Sequence, residues 1–166
     1  MHPVTACLGL GANLGDREAN ISRAIDMMSN AVRVTKVSSY YETEPVGSVG
    51  QPRFLNAVCT GTTALPAEEL LAAVKRIEAA LGRRPGLVNA ARPIDIDILL
   101  LGDTVMQSPD LIIPHPRMEE RAFVLVPLSE IAPGLVHPVN GRTVREMLAA
   151  LGRIEGVTKC KEVRDV

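Results

Sequence analysis

The sequence predicts an α+β fold with a split β-α-β-β-α-β core, an antiparallel sheet with helices packed on one face, and helical additions at the C-terminal end. Three observations predict it. Apolar residues alternate in four short segments, recur at about one-turn spacing in two longer ones, and these segments follow one another in the order of a ferredoxin-like core.

Val4 to Leu10 reads as the first strand, and the Gly-Ala-Asn-Leu-Gly-Asp that follows as a tight turn. Gly9, Gly11 and Gly15 superficially resemble a dinucleotide fingerprint, but the final spacing is one residue too long, so they are read as letting the backbone turn beside the sheet edge. A helix is expected from about Arg17 to Asn30, with Ala19, Ile21, Ala24, Ile25 and Met28 on its apolar face. Val32 to Tyr41 should be the second strand and Phe54 to Thr62 the third. The connection between them, residues 42–53, is long for a hairpin and carries Pro45, Gly47, Gly50 and Pro52, as binding loops often do. Pro66 to Leu81 makes the second helix, striped by Leu70, Leu71, Val74, Ile77 and Leu81 and stopped at Gly82. A basic loop, Arg83 to Pro93, leads into the fourth strand. Leu125–Leu135 and Thr143–Leu151 read as turns and helices, and Val157–Val163 as either a short edge strand or a frayed tail.

At 166 residues the chain suffices for one domain over its whole length, 1–166, with a real core. Its formal charge of −1 offers no global field for nucleic acid or an anionic membrane. With no Trp, two Tyr and two Phe, the core must be aliphatic, and each aromatic needs its own explanation. Cys7, Cys59 and Cys160 lack paired spacing, which fits reduced thiols better than a disulfide or zinc scaffold. Neither a signal peptide nor a membrane span stands out, so a cytoplasmic location is expected.

The run Arg92-Pro93-Ile94-Asp95-Ile96-Asp97-Ile98-Leu99 carries the chemistry. In a strand, Asp95 and Asp97 share one face while Ile94, Ile96 and Ile98 take the other. An exposed edge strand would leave both carboxylates in water. A hard divalent cation would hold them together, since Mg2+ is usually bound by one or two carboxylates plus substrate phosphates. Arg83, Arg84 and Arg92 approach this strand from one side in sequence, and His115, Arg117 and Arg121 cluster after it. Arginine forks beside a carboxylate-held cation describe a polyphosphate site. There is no Gly-Lys-Ser/Thr grip, and neither Ser38 nor Ser39 sits in a nucleophile elbow.

Taken in order, Leu8-Gly9-Leu10-Gly11-Ala12-Asn13-Leu14-Gly15, Tyr41-Glu42-Thr43-Glu44-Pro45, Phe54-Leu55-Asn56-Ala57, the Asp-bearing strand, Pro114-His115-Pro116-Arg117, Arg121-Ala122-Phe123-Val124-Leu125 and Pro127-Leu128-Ser129-Glu130-Ile131-Ala132-Pro133 resemble the 6-hydroxymethyl-7,8-dihydropterin pyrophosphokinase family of folate biosynthesis. The resemblance covers residues 4 to about 150. It implies transfer of an intact pyrophosphoryl group from ATP to the hydroxymethyl oxygen of the dihydropterin, leaving AMP, with two Mg2+ ions bridging the triphosphate. It further implies that Asp95 and Asp97 hold the metal and that Arg83 and Arg92 grip the phosphates in catalysis. Glu78, Arg84, Ile98, His115 and Arg121 would complete the nucleotide site. Thr43, Pro45, Val46, Phe54, Asn56 and Phe123 would receive the pterin, the two phenyl rings sandwiching it and Asn56 meeting its polar edge. ATP and the dihydropterin would be the partners of a monomer, with no nucleic acid and no membrane. Two loops, residues 43–53 and 84–93, would order over the ligands; the second reads Asn89-Ala90-Ala91-Arg92 where the family commonly carries Trp-Gly-Pro-Arg.

Two other readings compete. A non-catalytic ferredoxin-like domain binding a small anion or metal accounts for the fold and the Asp pair, but not for Phe54, Asn56 and Phe123 beside them. A conventional kinase acting on a pterin or nucleoside would release ADP rather than AMP.

Overall fold

Strand β1 (Val4–Ala12) lies inside the sheet, antiparallel to β4 (Phe54–Thr63) on one side and to β5 (Asp95–Leu101) on the other. The computed structural model describes residues 2–44, 52–82 and 92–161, so Pro45, Val46, Arg83, Arg84 and most of the two expected binding loops lie outside the described residues. Beyond β4 come β2 (Arg33–Val37) and β3 (Tyr40–Thr43), which pair with successive stretches of β4, and β8 (Val157–Lys161) pairs antiparallel with β3. The order is β5-β1-β4-β3-β8. Within it stands the expected core, with β2 and β3 in the place of one strand, and the ambiguous tail is an edge strand.

The expected strand over residues 32–41 is interrupted at Ser38–Ser39 because side chains there replace the ladder. The Ser38 hydroxyl accepts from the Val58 N–H at 2.9 Å and donates to the Ser39 carbonyl at 2.8 Å. The Ser39 N–H and hydroxyl donate to the Glu130 carboxylate at 3.0 and 2.6 Å, and the Tyr41 hydroxyl joins them at 2.7 Å. Alternation survives such a break, so it was invisible to periodicity.

Helices α1 (Arg17–Met27) and α2 (Ala67–Ala80) cover one face of the sheet. Asp16 caps α1 by accepting from the Ala19 N–H at 3.0 Å, and the helix tightens into a 3-10 turn over Met28–Asn30 where a single helix to Asn30 is expected. Ile21, Ala24 and Ile25 from α1, Met28 from the 3-10 turn, and Leu70, Val74 and Ile77 from α2 meet Leu8, Leu10, Leu55, Ala57, Ile96 and Ile98. Each buried Leu or Ile contributes roughly 1.5–3 kcal/mol relative to exposure.

The C-terminal additions cover the opposite face. Leu125 and Leu128 of α3 (Ala122–Ile131) and Met147 of α4 (Val144–Ala150) pack on Cys7, Val58, Leu99 and Leu100, with Met118 from a 3-10 turn over Met118–Glu120. A register shift between Cys7 and Leu8 lets two consecutive residues of β5, Leu99 and Leu100, enter this second core. A two-residue hairpin, β6 (Met106–Gln107) with β7 (Ile112–Ile113), precedes it and is too short for any periodicity to reveal. Cys7 and Cys59 are buried free thiols, as expected, whereas Cys160 is exposed on β8. No helix among the described residues is long and apolar enough to cross a membrane.

His137 organises the turn between α3 and α4. Its Nδ1 accepts from the Val139 and Asn140 N–H groups at 3.2 and 3.3 Å, while Asn140 and Arg142 both reach Glu119, at 2.9 and 3.8 Å. Burial lowers the His137 pKa from its ordinary 6.5, with Glu119 opposing and Arg142 adding to the effect.

Two expectations concern this scaffold. Replacing Glu130 with Ala strands the Ser39 and Tyr41 donors and should lower unfolding free energy by about 2 kcal/mol, read from the urea midpoint at constant m-value. For His137, the folded pKa lies below the unfolded one, so the unfolded chain takes up the proton first and stability is lost as pH falls below about 6.5. Urea midpoints should therefore drop on acidification, and His137→Asn, which keeps an acceptor without a titrating ring, should flatten that slope.

Candidate active site

The sheet face turned away from α1 and α2 changes character along its length. On β1 the residues pointing there run Cys7, Gly9, Gly11; on β4 they run Val58, Asn56, Phe54; on β5 they run Leu99, Asp97, Asp95. The apolar end supports α3 and α4. The other end carries glycine, amide, phenyl and carboxylate groups instead.

Register makes this a trough. Gly11 stands opposite both Asn56 and Asp95, Gly9 opposite both Val58 and Asp97, and Asn56 opposite Tyr41. Asp95, Gly11, Asn56 and Tyr41 thus share one rung, with the Asp and Asn backbones about 10 Å apart, two strand spacings, and no side chain between them. Gly9 and Gly11 are central strand residues rather than turn formers, and only Gly15 of the three has a positive φ, +71°. Gly11 is closely approached: a Cβ there would stand 2.7 Å from Asn56 Oδ1 and 3.5 Å from Phe54 Cδ1, so the carboxamide would have to shift. The Asn56 amide is buried and donates to Thr43 Oγ1 at 2.5 Å, which fixes which way its oxygen faces.

Across the trough, Asp95 and Asp97 are half-buried on one face while Ile94, Ile96 and Ile98 are buried, as the alternation requires. An Arg92 NH group donates to Asp95 Oδ2 at 3.2 Å. Two partly solvated, same-face carboxylates about 7 Å apart along the strand are hard oxygen donors suited to Mg2+. Among the described residues no group of three or more His, Cys, Asp and Glu gathers to encage a metal. A cation on this pair would draw its remaining ligands from water and phosphate.

The segment after β7 adds the second set of groups. The His115 N–H donates to the Leu99 carbonyl at 2.9 Å, which ties the segment to β5, and His115 Nδ1 accepts from the Arg117 N–H at 3.3 Å. Burial lowers the His115 pKa; Arg121 and Arg117 act in the same direction and Asp95 against it. The Arg121 guanidinium lies over the Phe123 ring, 5.3 Å from its centroid. The fold therefore brings Arg92, Asp95, His115, Arg121 and Phe123 into one neighbourhood beside the trough holding Asn56, Phe54 and Thr43.

Two expected residues occupy less direct places. Glu78 is buried on α2, where its carboxylate accepts from the Ile96 N–H at 2.8 Å and faces Lys75 Nζ at 3.5 Å, so it binds the backbone of β5 between the two aspartates. Ile98 is buried in the helix-side core, which leaves its backbone as what it offers a ligand. The sequence carries a signal for the trough: three segments each lose apolar character at alternate positions toward one end.

The chain matches the family model described as 7,8-dihydro-6-hydroxymethylpterin-pyrophosphokinase over residues 7–133. It is 39% identical over 142 residues to the 2-amino-4-hydroxy-6-hydroxymethyldihydropteridine pyrophosphokinase of Aquifex aeolicus, covering 86% of this chain and 89% of that one. The protein of the same name from Bacillus subtilis is 46% identical over 128 residues, 76% of this chain and 77% of that one. Among solved structures, the Plasmodium falciparum HPPK-DHPS crystallised with pteroate superposes with a TM-score of 0.71 at 16% identity, over 90% of this chain and 42% of that one. The last is a likeness of fold, and this chain spans less than half of that longer protein.

The trough's floor is testable without any ligand. Gly11→Ala should displace the Asn56 carboxamide, break its bond to Thr43 and cost about 1–3 kcal/mol of stability as overpacking. Denaturant titration and the Asn56 side-chain NMR resonances would check it; an unmoved Asn56 would contradict the close approach.

Proposed function

The chain belongs to the 7,8-dihydro-6-hydroxymethylpterin-pyrophosphokinase family, and on that premise we propose that it transfers the pyrophosphoryl group of ATP to the hydroxymethyl oxygen of 6-hydroxymethyl-7,8-dihydropterin, releasing AMP. The observation that carries this reading is the single rung on which Asp95 and Asn56 flank Gly11, with Arg92 bonded to Asp95. One side of the trough suits a flat heterocycle with a polar edge, and the other a metal-bound polyphosphate.

In the proposed reaction the hydroxymethyl oxygen attacks the β-phosphorus and gives up its proton to solvent, the bond to the α–β bridging oxygen breaks, and AMP leaves with that electron pair. No covalent nucleophile of the protein is needed. Positioning and charge neutralisation are the work, as in other phosphoryl transfers. Asp95 and Asp97 would hold two Mg2+ ions, which supply neutralisation of the triphosphate charge when bound. Arg92, Arg121 and the two loop arginines Arg83 and Arg84 would take phosphate oxygens through planar forks. His115, whose pKa is lowered by burial and by Arg121 and Arg117 against the pull of Asp95, would donate a hydrogen bond from Nε2 while Nδ1 accepts from Arg117.

Pterin recognition rests on the other half of the trough. Asn56, oriented by Thr43, would complement the heterocycle's donor–acceptor edge, and Phe54 and Phe123 would stack on its faces, each worth about 1 kcal/mol beyond area burial. Pro45 and Val46 would close over it from the first loop. Glu78 and Ile98 would serve the nucleotide from β5, Glu78 by holding the Ile96 amide and Ile98 through its backbone. The protein would act as a monomeric, single-domain enzyme in the cytoplasm.

Incubation with ATP, Mg2+ and the dihydropterin should yield AMP and the pterin diphosphate; ADP as the nucleotide product would overturn the assignment in favour of a conventional kinase. Asp95→Asn and Asp97→Asn should each lower kcat on the order of 10²–10³-fold with the fold unchanged by circular dichroism.

A further inference from the structure

Asn13 follows β1 directly, is 2% exposed, and has no place in the pyrophosphoryl-transfer roles given above. Its backbone N–H donates to the Arg92 carbonyl at 2.9 Å, and its side-chain Oδ1 accepts from the Arg92 N–H at 2.6 Å. Both backbone polar groups of Arg92 are thereby taken up by one residue, in the manner of a ladder rung completed by a side chain. The other end of the same carboxamide, Nδ2, donates to the Pro52 carbonyl at 3.3 Å. Residues 52 and 92 lie near the ends of the two long connections that part β3 from β4 and α2 from β5. They lie 40 residues apart in sequence and meet at this one amide.

The environment of Pro52 shows the same pinning. Arg17, at the start of α1, donates to the Arg53 carbonyl at 3.0 Å and to Glu42 at 2.7 Å, and Arg53 pairs with Glu44 at 3.0 Å. The chain re-enters β4 held on both sides. Arg92, by contrast, is held by Asn13 at its backbone and by Asp95 at its guanidinium. The Asp95 contact is a partly exposed i,i+3 ion pair, which by itself fixes a long side chain weakly. What determines where that guanidinium swings is the backbone from which it hangs, and Asn13 sets that backbone.

We propose that Asn13 is a positioning residue: it joins the chain at Pro52 to the chain at Arg92 and so aims the Arg92 guanidinium across Asp95. This rests on the reading of Arg92 and Asp95 as part of the phosphate site. The chemistry explains the residue type. A carboxamide carries its acceptor and its donor on separate atoms at the end of a short side chain, and here the two are used in opposite directions. Aspartate keeps the acceptor for Arg92 but turns a second oxygen on the Pro52 carbonyl; alanine loses both contacts.

The test is a two-residue cycle on the full chain, with Asn13→Ala, Arg92→Ala and the double variant compared for kcat and for the KM of ATP and of the dihydropterin. Asn13→Ala should lower kcat about 10- to 100-fold, as displacements of about 1 Å at a reacting centre do, and change the KM for ATP less than about threefold. In the Arg92→Ala background the same change should cost less than about threefold, because the residue it acts through is gone. Hydrogen exchange at the Arg92 amide, which must quicken in Asn13→Ala, reads the contact independently of turnover. Should Asn13→Ala fold poorly, Asn13→Asp, which retains the bond to the Arg92 N–H, should keep that amide protected while losing the tie to residue 52. An impaired Arg92→Ala enzyme in which Asn13→Ala still costs its full factor would overturn the proposal alone. An Arg92→Ala enzyme with normal turnover would remove the phosphate-site reading, and the proposal with it.

Discussion

The antiparallel register of β1 with its two neighbours is the constraint on which everything else hangs. Because side-chain direction alternates with a period of two, slipping β1 by one residue against either neighbour would turn Gly9 and Gly11 into the helix-side core and put Leu8 and Leu10 into the trough. The large apolar burial on the helix side forbids that. Burial thus excludes every odd slip of β1, and the site residues need contribute nothing to that choice of face. Gly11 pays the usual conformational penalty of glycine in a strand, and the close approach of the Asn56 amide explains why no larger residue stands there.

A sheet with two coverable faces normally spends both on cores. Here the second face is divided, with α3 and α4 resting on the end built from Cys7, Val58, Leu99 and Leu100 and stopping short of the polar end. Their position is fixed by polar as well as apolar contacts. Glu130 near the end of α3 collects donors from Ser39 and Tyr41, so the interruption between β2 and β3 is also an attachment point of the helix that Arg121 precedes and whose first turn carries Phe123. Burial, reinforced by the Glu130 hydrogen bond and charge, raises the Tyr41 pKa, which keeps the phenol a donor throughout the ordinary range. Tyr41 occupies the same rung as Asn56, so the brace and the trough are two ends of one strand segment.

Much of this was legible in the sequence, for reasons that can be named. The facing of Asp95 and Asp97 followed from strand periodicity alone, and the helix stripes of Ile21, Ala24, Ile25 and of Leu70, Val74, Ile77 from theirs, since burial enforces both. Gly9 and Gly11 look like turn formers in the sequence because glycine most often marks a turn; inside a strand its signal is a close approach by residues distant in sequence, which local pattern does not contain. Ser38–Ser39 was hidden because its partners, Val58 and Glu130, are likewise remote. The two-residue strands β6 and β7 carry too few positions for any period. Asn13 is the extreme case: one amide in a glycine-rich stretch, whose contacts to residues 52 and 92 no local pattern announces.

The Arg92–Asp95 pair links scaffold to chemistry through a charge argument. An arginine and a carboxylate that are each partly exposed hold one another loosely, so the pair is a resting arrangement in which neither charge is left without a partner. In the proposed reaction Asp95 would hold a cation in place of the guanidinium and Arg92 would hold phosphate oxygens in place of the carboxylate, so opposite charges would stay matched. Had the pair been fully buried, desolvation would have made that exchange costly; had it been fully exposed, salt would screen it and the guanidinium would wander. Partial exposure on a backbone held from Asn13 lies between these limits, where the head group can change partners while its point of attachment stays still.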